Sequence, residues 1–572
     1  LWAYINQKKN VSSIPGHVFN NGIELTDPQE IVNHFAIHFS DVFSSDNICD
    51  SFPVCDRESD IVSVLHNFVI NTCDILDAVK KVNSNFTMGP DNVPAFLVKD
   101  CISCLCEPLC YLFNLIIAEA AYPNKWKSTK VIPVFKSGVR NNIENYRPIA
   151  IVSNFSKIFE RIVANNLYSH VSNQLSPSQH GFIKGKSTST NLCEYIQYIS
   201  DSLESKKQVD VIYTDLSKAF DVVNHSILLD KLSKFGLCSN LIKLFQSFLC
   251  NRIQYVEYRG FRSQTYVTTS GVTQGSNLGP ILFIIYFNDA LLEFKCPIFV
   301  YADDMKVAKT ITTLDDCYSL QNDLNNFIIW CHNNKQNINV AKCKVITFSR
   351  SPDTTQFKYE LNDTEIDRVF QIKDLGVVVD SKLSFIPHFQ HICDHANRML
   401  GFIIRNTVGF TNVDSLLVLY YSFIRSKLEY SSVVWDPYYK IHISSIERIQ
   451  RKFCKHLFYV KFGRYPVRTC SSVVLFNEFN LYSLKDRRTV ANIIFLHKLI
   501  HGKIFSQNLL GNLSFHIPRL NCRYTGTFAI DWCRTNQHFY SPIYNMCRSY
   551  NNIAPLADIF LQSIIAIYAT ST

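Results

Sequence analysis

The stretch that decides the fold is PIFVYADDMKVAK, residues 297–309. Two short apolar runs, residues 298–301 and 305–308, flank Asp303 and Asp304, and this pattern predicts two strands joined by a tight turn with both carboxylates at its tip. Asp also favours turns because its side chain bonds to nearby backbone. Taken alone, the acidic pair therefore leaves an ordinary turn and a functional site equally open.

A second acid stands in the same kind of position. In VDVIYTDLSKAFDVVNH, residues 209–225, an apolar strand over 211–214 ends at Asp215. A carboxylate at the end of an apolar strand is costly unless something neutralises it. Mg²⁺ prefers such oxygen ligands, and two ions about 3.5 to 4 Å apart can catalyse in-line phosphoryl displacement. The three acids together thus predict a metal-dependent phosphoryl-transfer site.

Length and composition set the class of protein. The 572 residues are enough for three or four domains, and 47% of them are hydrophobic, which excludes a disordered chain. No uninterrupted apolar run approaches the roughly 18 to 20 residues of a membrane helix, and no signal peptide is recognisable, so no membrane partner is expected. Because the chain opens on Leu1, we expect a fragment of a longer protein.

Cysteine usage points to an intracellular protein. The 20 cysteines are scattered over a long chain without a secretory signal, which is typical of reduced thiols. One cluster, Cys101, Cys104, Cys106 and Cys110, allows a zinc interpretation. Its segment has helical apolar periodicity and no second ligand pair follows at finger-like spacing, so buried core cysteines are favoured over a metal site.

Positive charge is concentrated in the last third of the chain. Residues 381–572 hold 22 Lys and Arg against 9 Asp and Glu, whereas residues 1–380 hold 35 against 39. The densest patch lies on one face of a predicted helix and consists of Arg448, Arg451, Lys452 and Lys455. Taken alone, this patch is better explained as an ordinary solvated helix face than as a nucleic-acid contact.

The remaining patterns predict an α+β fold. Residues 1–60 are polar and irregular and are interpreted as a linker or arm, whereas residues 61–121 have helical periodicity broken by a turn at 88–91. Short strands and helices alternate to about residue 380, and the sequence after Leu383 is largely helical. We expect a mostly antiparallel sheet with helices packed on it.

An ordered series of motifs resembles one known family. The motifs are WKSTKVIPVFKSG, NYRPIAIVSNFSKIFERIV, LSPSQHGFIKGKST, YTDLSKAFDVVNH, SGVTQGSNLGPILFIIYFND and VYADDMKVAK. In this order they resemble the reverse transcriptases of non-LTR (LINE-type) retrotransposons, most closely the jockey-like group. NINVAKCKVITFS, IKDLGVVVDSKLSF and LYYSFIRSKLEYSSVVWDP extend the resemblance over nearly the whole chain.

The resemblance implies a right-hand polymerase of fingers, palm and thumb. It places a linker after a missing endonuclease domain at 1–60, an N-terminal extension to the fingers at 61–116, and the reverse transcriptase domain, fingers and palm with an antiparallel sheet, at 117–379. A helical thumb and a mostly helical, basic C-terminal region follow at 380–572.

The resemblance also implies the metal site. Asp215 and Asp303 match the family's metal ligands, Asp304 is the second acid of the YADD motif, and the backbone oxygen of Leu216 completes the set. Two Mg²⁺ ions are expected there, and Mn²⁺ could replace them. Lys342 matches a segment that follows the YADD hairpin in the family and is a candidate proton donor to pyrophosphate.

Other matches concern nucleotide and nucleic acid. Lys136 and Arg147 match basic residues that grip the triphosphate, and Gln274 and Gly275 match the nucleotide pocket. Phe220 matches an aromatic ring under the sugar that excludes a 2′-hydroxyl, although a core Phe is the better interpretation from sequence alone. Lys184 and Lys186 are expected to contact template or nucleotide. The phosphates of template RNA or target DNA are expected to contact the basic helix through Arg448, Arg451, Lys452 and Lys455.

Two positions depart from the family. Thr273 stands where Pro is usual and Asn277 where Val is usual, and we expect Asn277 to loosen the packing behind the nucleotide pocket. All three metal-site acids are present, which argues against a decayed copy. Neither an RNase H domain nor a cysteine-histidine knuckle is recognisable in the tail.

The sequence thus predicts an RNA-directed DNA polymerase. Its partners would be an RNA template, a DNA primer or target and dNTPs, and it would act in the nucleus; its oligomeric state is left open. A viral RNA-dependent RNA polymerase is disfavoured by Phe220 and by Ala302 before the acidic pair. A catalytically silent nucleic-acid-binding remnant is the alternative, although it has no reason to keep three acids at strand ends.

Overall fold

The described residues of this computed structural model are 14–20, 22–43, 64–84, 86–517, 526–554 and 558–561. They divide into two units that interleave along the sequence. The first unit takes residues up to Ser176, then Leu216–Phe294 and Asn326–Asn339; the second takes Pro177–Asp215, Lys295–Asn325 and the chain from Val340 onwards. The sequence-based boundaries near residues 60, 116 and 379 stay predictions.

The first unit is built on a five-stranded sheet. Its strands lie in the order Tyr146–Ile151, Ser128–Phe135, Arg252–Tyr258 and Phe261–Arg262, and Tyr266–Thr268 also pairs with the third. Only the pairing of Ser128–Phe135 with Arg252–Tyr258 is parallel among these. The surrounding helices are Pro28–Ser40, Thr72–Lys80, Ala95–Asp100, Ile102–Glu119, Asn124–Lys127, Asn154–Val171, His225–Lys234, Ser239–Leu249 and Gly279–Leu292, with a 3₁₀ turn at Ile143–Asn145.

The N-terminal segment is more ordered than its sequence suggested. Residues 14–43 were interpreted as part of an irregular linker or arm, but they contain the paired strands Val18–Asn20 and Ile23–Leu25 and the helix Pro28–Ser40. Apolar side chains of this helix are buried against Val131, Tyr146 and Val256 of the five-stranded sheet. The rings of Phe35 and Tyr146 meet edge to face at 5.2 Å. The segment is therefore part of the first unit's core.

The second unit holds the sheet that carries the acids. Its strands lie in the order Arg368–Val369, Lys344–Phe348, Gln208–Thr214, Asp304–Ile311 and Ile298–Tyr301, antiparallel except for the first pair. Two hairpins are added, Glu360–Leu361 with Thr364–Glu365 and Gln371–Asp374 with Val377–Asp380. Most residues of the strands Gln208–Thr214 and Asp304–Ile311 are buried, so the centre of the sheet is a rigid support.

Helices make up most of the rest of the second unit. They are Thr188–Glu204, Ile386–Asn406, Val413–Tyr420, Ser426–Glu429, Ser432–Trp435, Lys440–Phe462, Ser472–Asn477, Leu484–Ile500, Gln507–Gly511, Asn536–Phe539 and Pro542–Asn551, with a 3₁₀ turn at Val340–Lys342 and a π-helical turn at Tyr421–Arg425. The helix Leu314–Asn333 supplies residues to both units. The predicted α+β class and the mostly helical C-terminal region are confirmed.

One helix has the length and composition of a membrane span. Among the described residues, Ile102–Glu119 is the only helix that is long and apolar enough, although only 28% of it is buried. The apolar sequence of this helix is interrupted by Glu107, Pro108 and Asn114. The Asn114 side chain accepts a hydrogen bond from the backbone N–H of Ile70 and donates one to its carbonyl oxygen. Length and composition alone are weak evidence, so the expectation of no membrane partner stays a prediction.

The four cysteines of the cluster at this helix differ in their burial. Cys106 is buried and Cys110 half-buried, and their thiols donate to the carbonyl oxygens of Thr72 and Ile70. Cys101 and Cys104 are exposed, so the core interpretation is correct for two of the four.

Candidate active site

Strand register brings the three predicted acids to one end of the second unit's sheet. Thr214 pairs with Met305, so Asp215, one residue beyond Thr214, lies at the same sheet end as Asp304, one residue before Met305. Asp303 lies in the two-residue turn that precedes the strand Asp304–Ile311. The sequence pattern of an acid after each apolar strand therefore predicted a real convergence.

The turn that carries Asp303 is held from a neighbouring segment. Ala302 has the left-handed φ of 58°, a conformation that a residue with a Cβ adopts at a cost. Gln179 Oε1 accepts from the backbone N–H of Ala302 at 2.8 Å, and Gln179 Nε2 donates to its carbonyl oxygen at 3.1 Å. A Cβ on Gly181 would lie 2.3 Å from Ala302 N. Gln179 and Gly181 thus position the acidic turn, and no sequence signal had distinguished them.

The carboxylates at this end repel one another. Burial, followed by the negative charges of Asp303, Asp374 and Asp215, raises the pKa of the Asp304 carboxyl to about 6, although the residue remains exposed on its outer side. A cation would relieve this repulsion, and carboxylate oxygens are the ligands that hard divalent cations prefer. Among the described residues, however, no three His, Cys, Asp or Glu side chains are gathered closely enough to hold a metal ion.

Lys342 reaches the predicted metal-ligand set. Its Nζ lies 3.0 Å from Asp215 Oδ2, and the two side chains are 55% and 32% exposed. The 3₁₀ turn Val340–Lys342, directly before the strand Lys344–Phe348, places it there. The structure thus sets the candidate proton donor beside the candidate ligand. Leu216 follows Asp215 but belongs to the first unit, and the role of its carbonyl oxygen stays a prediction.

A buried ion pair lies beneath the acids. Lys306 Nζ is 2.7 Å from Asp374 Oδ2 and 2.6 Å from Asn191 Oδ1. The ring of Tyr195 lies under the ammonium, 4.6 Å from it, and Tyr213 donates to the same Asp374 oxygen at 3.2 Å. Sequence reasoning missed this group because Lys306 looked like an ordinary strand lysine and Asp374 lies 68 residues away.

The first unit contains the predicted nucleotide-pocket residues. Gln274 Nε2 donates to both carboxylate oxygens of Asp221, at 2.9 and 3.0 Å. Gly275 has a φ of +119°, and a Cβ there would lie 2.3 Å from the carbonyl oxygen of Ala150. Only glycine fits that approach without a shift, which supports the close backbone contact expected at this position.

Phe220 is stacked inside the same unit. Its ring lies over that of Phe283, with centroids 4.1 Å apart and planes 18° apart, and the residue is half-buried. Both interpretations of Phe220 are compatible with this placement, because one face packs on the core helix Gly279–Leu292 while part of the residue remains accessible. Its role under a sugar stays a prediction.

The two predicted phosphate-binding residues lie on one hairpin. Arg147 pairs with Val134 across the strands, and Lys136 N donates to Asn145 O at 2.8 Å. Both side chains are exposed, as a phosphate-contacting residue requires. Burial raises the pKa of Asp221, and the positive charge of Arg147 is among the groups that partly oppose this shift, which places the basic hairpin and the Gln274 pair in one neighbourhood.

Asn277 contradicts the expectation of loosened packing. Its Oδ1 accepts from Arg161 Nη2 at 3.2 Å, its Nδ2 donates to Lys157 O at 2.7 Å, and its backbone N–H donates to Glu160 Oε2 at 2.9 Å. All three partners lie on the helix Asn154–Val171. The polar residue therefore ties this helix to the loop before Gly279 instead of leaving it loose.

Two predicted contacts to template differ in their availability. Lys184 is exposed, whereas Lys186 is half-buried, its ammonium donates to the carbonyl of Pro177, and burial lowers its pKa. Gly185 between them is covered by Phe505, whose ring a Cβ would meet at 2.2 Å. The segment before the helix Thr188–Glu204 is thus pinned by the C-terminal region.

The four predicted basic residues of the helix Lys440–Phe462 also differ in their exposure. On Lys440–Phe462, the predicted apolar face of Ile446, Ile449 and Phe453 is buried. Arg448 and Lys452 are exposed, whereas Lys455 is half-buried. Arg451, also half-buried, donates to the carbonyl oxygen of Cys470 at 2.8 Å. Arg448 and Lys452 are therefore the two exposed members of the set, and the Nζ of Lys452 also donates to Asn397 Oδ1 at 3.2 Å.

Comparison with known proteins identifies the class. Residues 135–379 match the family described as reverse transcriptase (RNA-dependent DNA polymerase), and they include all three acids and the nucleotide-pocket residues. Residues 135–379 are therefore similar to a reverse transcriptase domain, which confirms the predicted resemblance. Enzymes of this family use divalent metal ions.

The curated relatives are RNA-directed DNA polymerases of mobile elements. The chain is 28% identical over 364 residues to the RNA-directed DNA polymerase from the mobile element jockey of Drosophila melanogaster, which covers 61% of this chain and 39% of the relative. It is 29% identical over 336 residues to the probable RNA-directed DNA polymerase from transposon BS of the same species, covering 55% and 36%. The chain spans about two fifths of the length of these relatives.

Solved telomerases are also similar, at a distance. The telomerase of Candida albicans in complex with a fragment of telomeric RNA is 12% identical, covering 64% of this chain and 66% of its own, with a TM-score of 0.32.

Proposed function

We propose that this chain extends the 3′-hydroxyl of a DNA primer on an RNA template, with dNTPs as substrates. The observation that carries the proposal is the register that sets Asp215, Asp303 and Asp304 at one end of a buried sheet, where burial and then the neighbouring negative charges raise the pKa of Asp304. The matched family and relatives perform the same reaction.

In the proposed reaction the primer O3′ forms a bond to the α-phosphorus as the bond to the bridging oxygen of pyrophosphate breaks. Asp215, Asp303 and Asp304, with the carbonyl oxygen of Leu216, are the residues that would hold two Mg²⁺ ions if the ions drew the carboxylates closer together than they lie here, and such ions would supply charge stabilisation to the attacking and leaving oxygens. Lys342, placed beside Asp215, would give a proton to the departing pyrophosphate. Replacing Lys342 with Gln should lower kcat and leave primer binding unchanged.

The other predicted residues would select and hold the substrates. Lys136 and Arg147 would bind the triphosphate by charge-assisted hydrogen bonds. Phe220, held against Phe283, would clash with a 2′-hydroxyl and so favour deoxynucleotides. Lys184, Lys186 and the basic helix would contact nucleic acid, and the reaction would take place in the nucleus.

The decisive experiment is primer extension by the full chain on poly(rA)/oligo(dT) with Mg²⁺. Wild type should incorporate dTTP and not UTP, and Asp303→Asn should abolish extension while duplex binding persists. Asp353→Asn, an exposed aspartate of the same unit, is the matched control and should extend like wild type. Full activity of Asp303→Asn would refute the site.

Two further outcomes separate the alternatives. UTP incorporation by a Phe220→Val variant, with dTTP use retained, would establish the sugar filter. If the well-folded wild type binds the duplex but never extends it, the polymerase hypothesis is rejected in favour of a catalytically silent nucleic-acid-binding remnant.

A further inference from the structure

One face of the helix Lys440–Phe462 changes from basic to aromatic along its length. Lys452 and Lys455 lie in the middle of this face. Tyr459 and Phe462 follow them towards the end of the helix at the same three- and four-residue spacing, which keeps all four on one side. Both aromatic side chains are exposed, whereas the opposite side of the helix is buried. The side of the helix that offers positive charge therefore ends in open aromatic rings.

The chain folds back after this helix, so that a second tyrosine stacks on the first. Gly463 ends the helix with a left-handed φ of 71°, and its N–H donates to the carbonyl oxygen of Tyr459 at 2.8 Å. Pro466 follows three residues later and cannot continue a helix. The ring of Tyr465 lies 4.8 Å from the ring of Tyr459, with the planes 18° apart. These two stacked rings are called the tyrosine platform below.

The tyrosine platform belongs to an exposed apolar patch. Tyr459 and Tyr465 are 45% and 62% exposed, and neither hydroxyl has a hydrogen-bond partner among the residues that the structure describes. The helix Ser472–Asn477 packs beside the end of the platform helix. The valines of this region are also exposed: Val467, Val473 and Val474. Because apolar patches of this kind on a soluble protein mark binding surfaces, the patch is a candidate for one.

Arginines are interleaved with these apolar residues. Arg464 and Arg468 are exposed and have no hydrogen-bond or ion-pair partner within the described part of the chain. Lys461 is the third cation, and its ammonium pairs with Glu478 at 2.7 Å. No acidic residue occurs in residues 459–474. The patch thus combines flat aromatic rings with positive charge that no neighbouring acid neutralises.

Single-stranded nucleic acid has the chemistry that complements both features. Its unpaired bases have open faces that stack on aromatic side chains, and its phosphates pair with arginine. A duplex offers such a surface its phosphates but not its base faces, because neighbouring base pairs cover them. In the proposed reaction, the template RNA beyond the primer terminus is the unpaired strand. The charge and the rings together therefore favour single-stranded RNA as the ligand of this patch.

We propose that the tyrosine platform stacks unpaired bases of the template RNA, while Arg464 and Arg468 pair with its phosphates. This inference rests on the proposed function and deepens it, because it assigns a single-stranded ligand to the end of the basic helix. The unpaired hydroxyls of the platform can bond the 2′-hydroxyl groups of RNA, which both donate and accept hydrogen bonds.

The test compares the Kd of the full chain for single-stranded oligo(rU) with its Kd for the oligo(rU)/oligo(dA) hybrid. Tyr465→Ala should raise the Kd for the single strand about 5- to 150-fold, the range for the loss of one stacked base, and leave the Kd for the hybrid almost unchanged. Tyr482→Ala removes another exposed tyrosine of the same unit and should bind both ligands like wild type. An equal rise for single strand and hybrid, or no rise for either, would overturn the inference.

Salt dependence separates the rings from the arginines. Arg464→Gln should reduce the slope of log Kd against log salt for oligo(rU) by about 0.7, the value for one phosphate contact of a single strand. Tyr465→Ala should leave that slope unchanged, because stacking releases no counterions. A slope that falls with Tyr465→Ala and not with Arg464→Gln would contradict the assigned roles.

Two further measurements address the identity of the ligand. Irradiation of oligo(rU) that contains 5-bromouridine should cross-link it to the peptide that carries Tyr465, and failure to label that peptide would overturn the stacking. Tyr465→Phe keeps the ring and removes the hydroxyl, so it should bind oligo(rU) more weakly than wild type but more tightly than Tyr465→Ala. Tighter binding of wild type to oligo(dU) than to oligo(rU) would overturn the assignment to RNA. Binding to phosphatidylserine vesicles or self-association that Tyr465→Ala abolishes, with oligo(rU) binding retained, would overturn it in favour of a membrane or a second copy.

Binding and primer extension distinguish a failure of this inference from a failure of the proposed function. If wild type shows the expected pattern of Kd values but never extends a primer, the polymerase proposal fails and the tyrosine platform stands as a site for single-stranded RNA. If wild type extends a primer and Tyr465→Ala binds oligo(rU) like wild type, only the role of the platform fails.

Discussion

Lys306 and Asp374 form an ion pair 2.7 Å long with only 3% and 5% of their side chains exposed. Removing one member of such a pair leaves an unpaired buried charge, which costs about 3–5 kcal/mol. We therefore expect Lys306→Met to lower the free energy of unfolding by about that amount in urea titrations, and Lys306→Met/Asp374→Leu to recover part of the loss. Lys358→Met, which breaks an exposed pair with Glu365, should leave the urea midpoint almost unchanged. Equal effects of the two single variants would contradict this account.

Gly275→Ala should damage the nucleotide pocket. The new Cβ would meet Ala150 O at 2.3 Å in addition to the cost of a positive φ. Gly260→Ala is the matched control, since Gly260 has a φ of +84° and open space around it. The positive φ should lower the free energy of unfolding of both variants by about 1–2 kcal/mol. Only Gly275→Ala should also raise the KM for dNTP. Matching melting temperatures and KM values for the two variants would rule out the close contact.

Asp221 should make stability depend on pH. Because its pKa is raised from 3.8 to about 6 in the folded chain, the folded state binds the proton more tightly than the unfolded state. This contribution to stability is present below about pH 4 and is lost as the pH rises to about 6. Asp221→Asn removes the dependence, so its melting temperature relative to wild type should increase across that window and then stay level. A constant difference from pH 4 to pH 8 would disprove the shift.

Nucleic-acid binding should depend on salt through the exposed members of the basic helix. Arg448→Gln and Lys452→Gln should each reduce the slope of log Kd against log salt by about 1 if each contacts a phosphate. Arg451→Gln should act differently, lowering the melting temperature, because Arg451 is bound to the Cys470 carbonyl. Lys80→Gln, an exposed lysine of the first unit, is the control for the loss of one charge. Equal slopes in all four variants would contradict the prediction that Arg448 and Lys452 contact phosphates.

Local patterns predicted the sheet end correctly because its signals lie within a few residues. The apolar runs around Asp303 and before Asp215 fall within the strands Ile298–Tyr301, Asp304–Ile311 and Gln208–Thr214. The sequence of the strand Asp304–Ile311 did not show that Lys306 is buried. Whether both faces of a strand are buried depends on the segments that pack against the sheet, and the strand's own sequence does not contain that information. The partner of Lys306, Asp374, comes from a hairpin that no local pattern links to this strand.

Other parts of the site depend on contacts between distant segments. Gln274 and Asp221 are 53 residues apart, and Asn277 bonds to residues more than 110 positions earlier. The family resemblance located Gln274 but gave no reason for its orientation, which Asp221 supplies. Asn277 was misjudged because a polar residue at an apolar position was assumed to lack partners.

The contacts of the C-terminal region have a consequence for how the nascent chain matures. Glu194, in the second turn of the helix Thr188–Glu204, accepts from Ser506 at 2.6 Å and from Asn508 at 2.9 Å, 312 and 314 residues later. At about 5–20 residues per second, roughly 15–60 s of translation separate the two segments. Throughout that interval the carboxylate has none of these hydroxyl or amide donors, so ribosomes that stop early would release chains in which this buried acid is left without them.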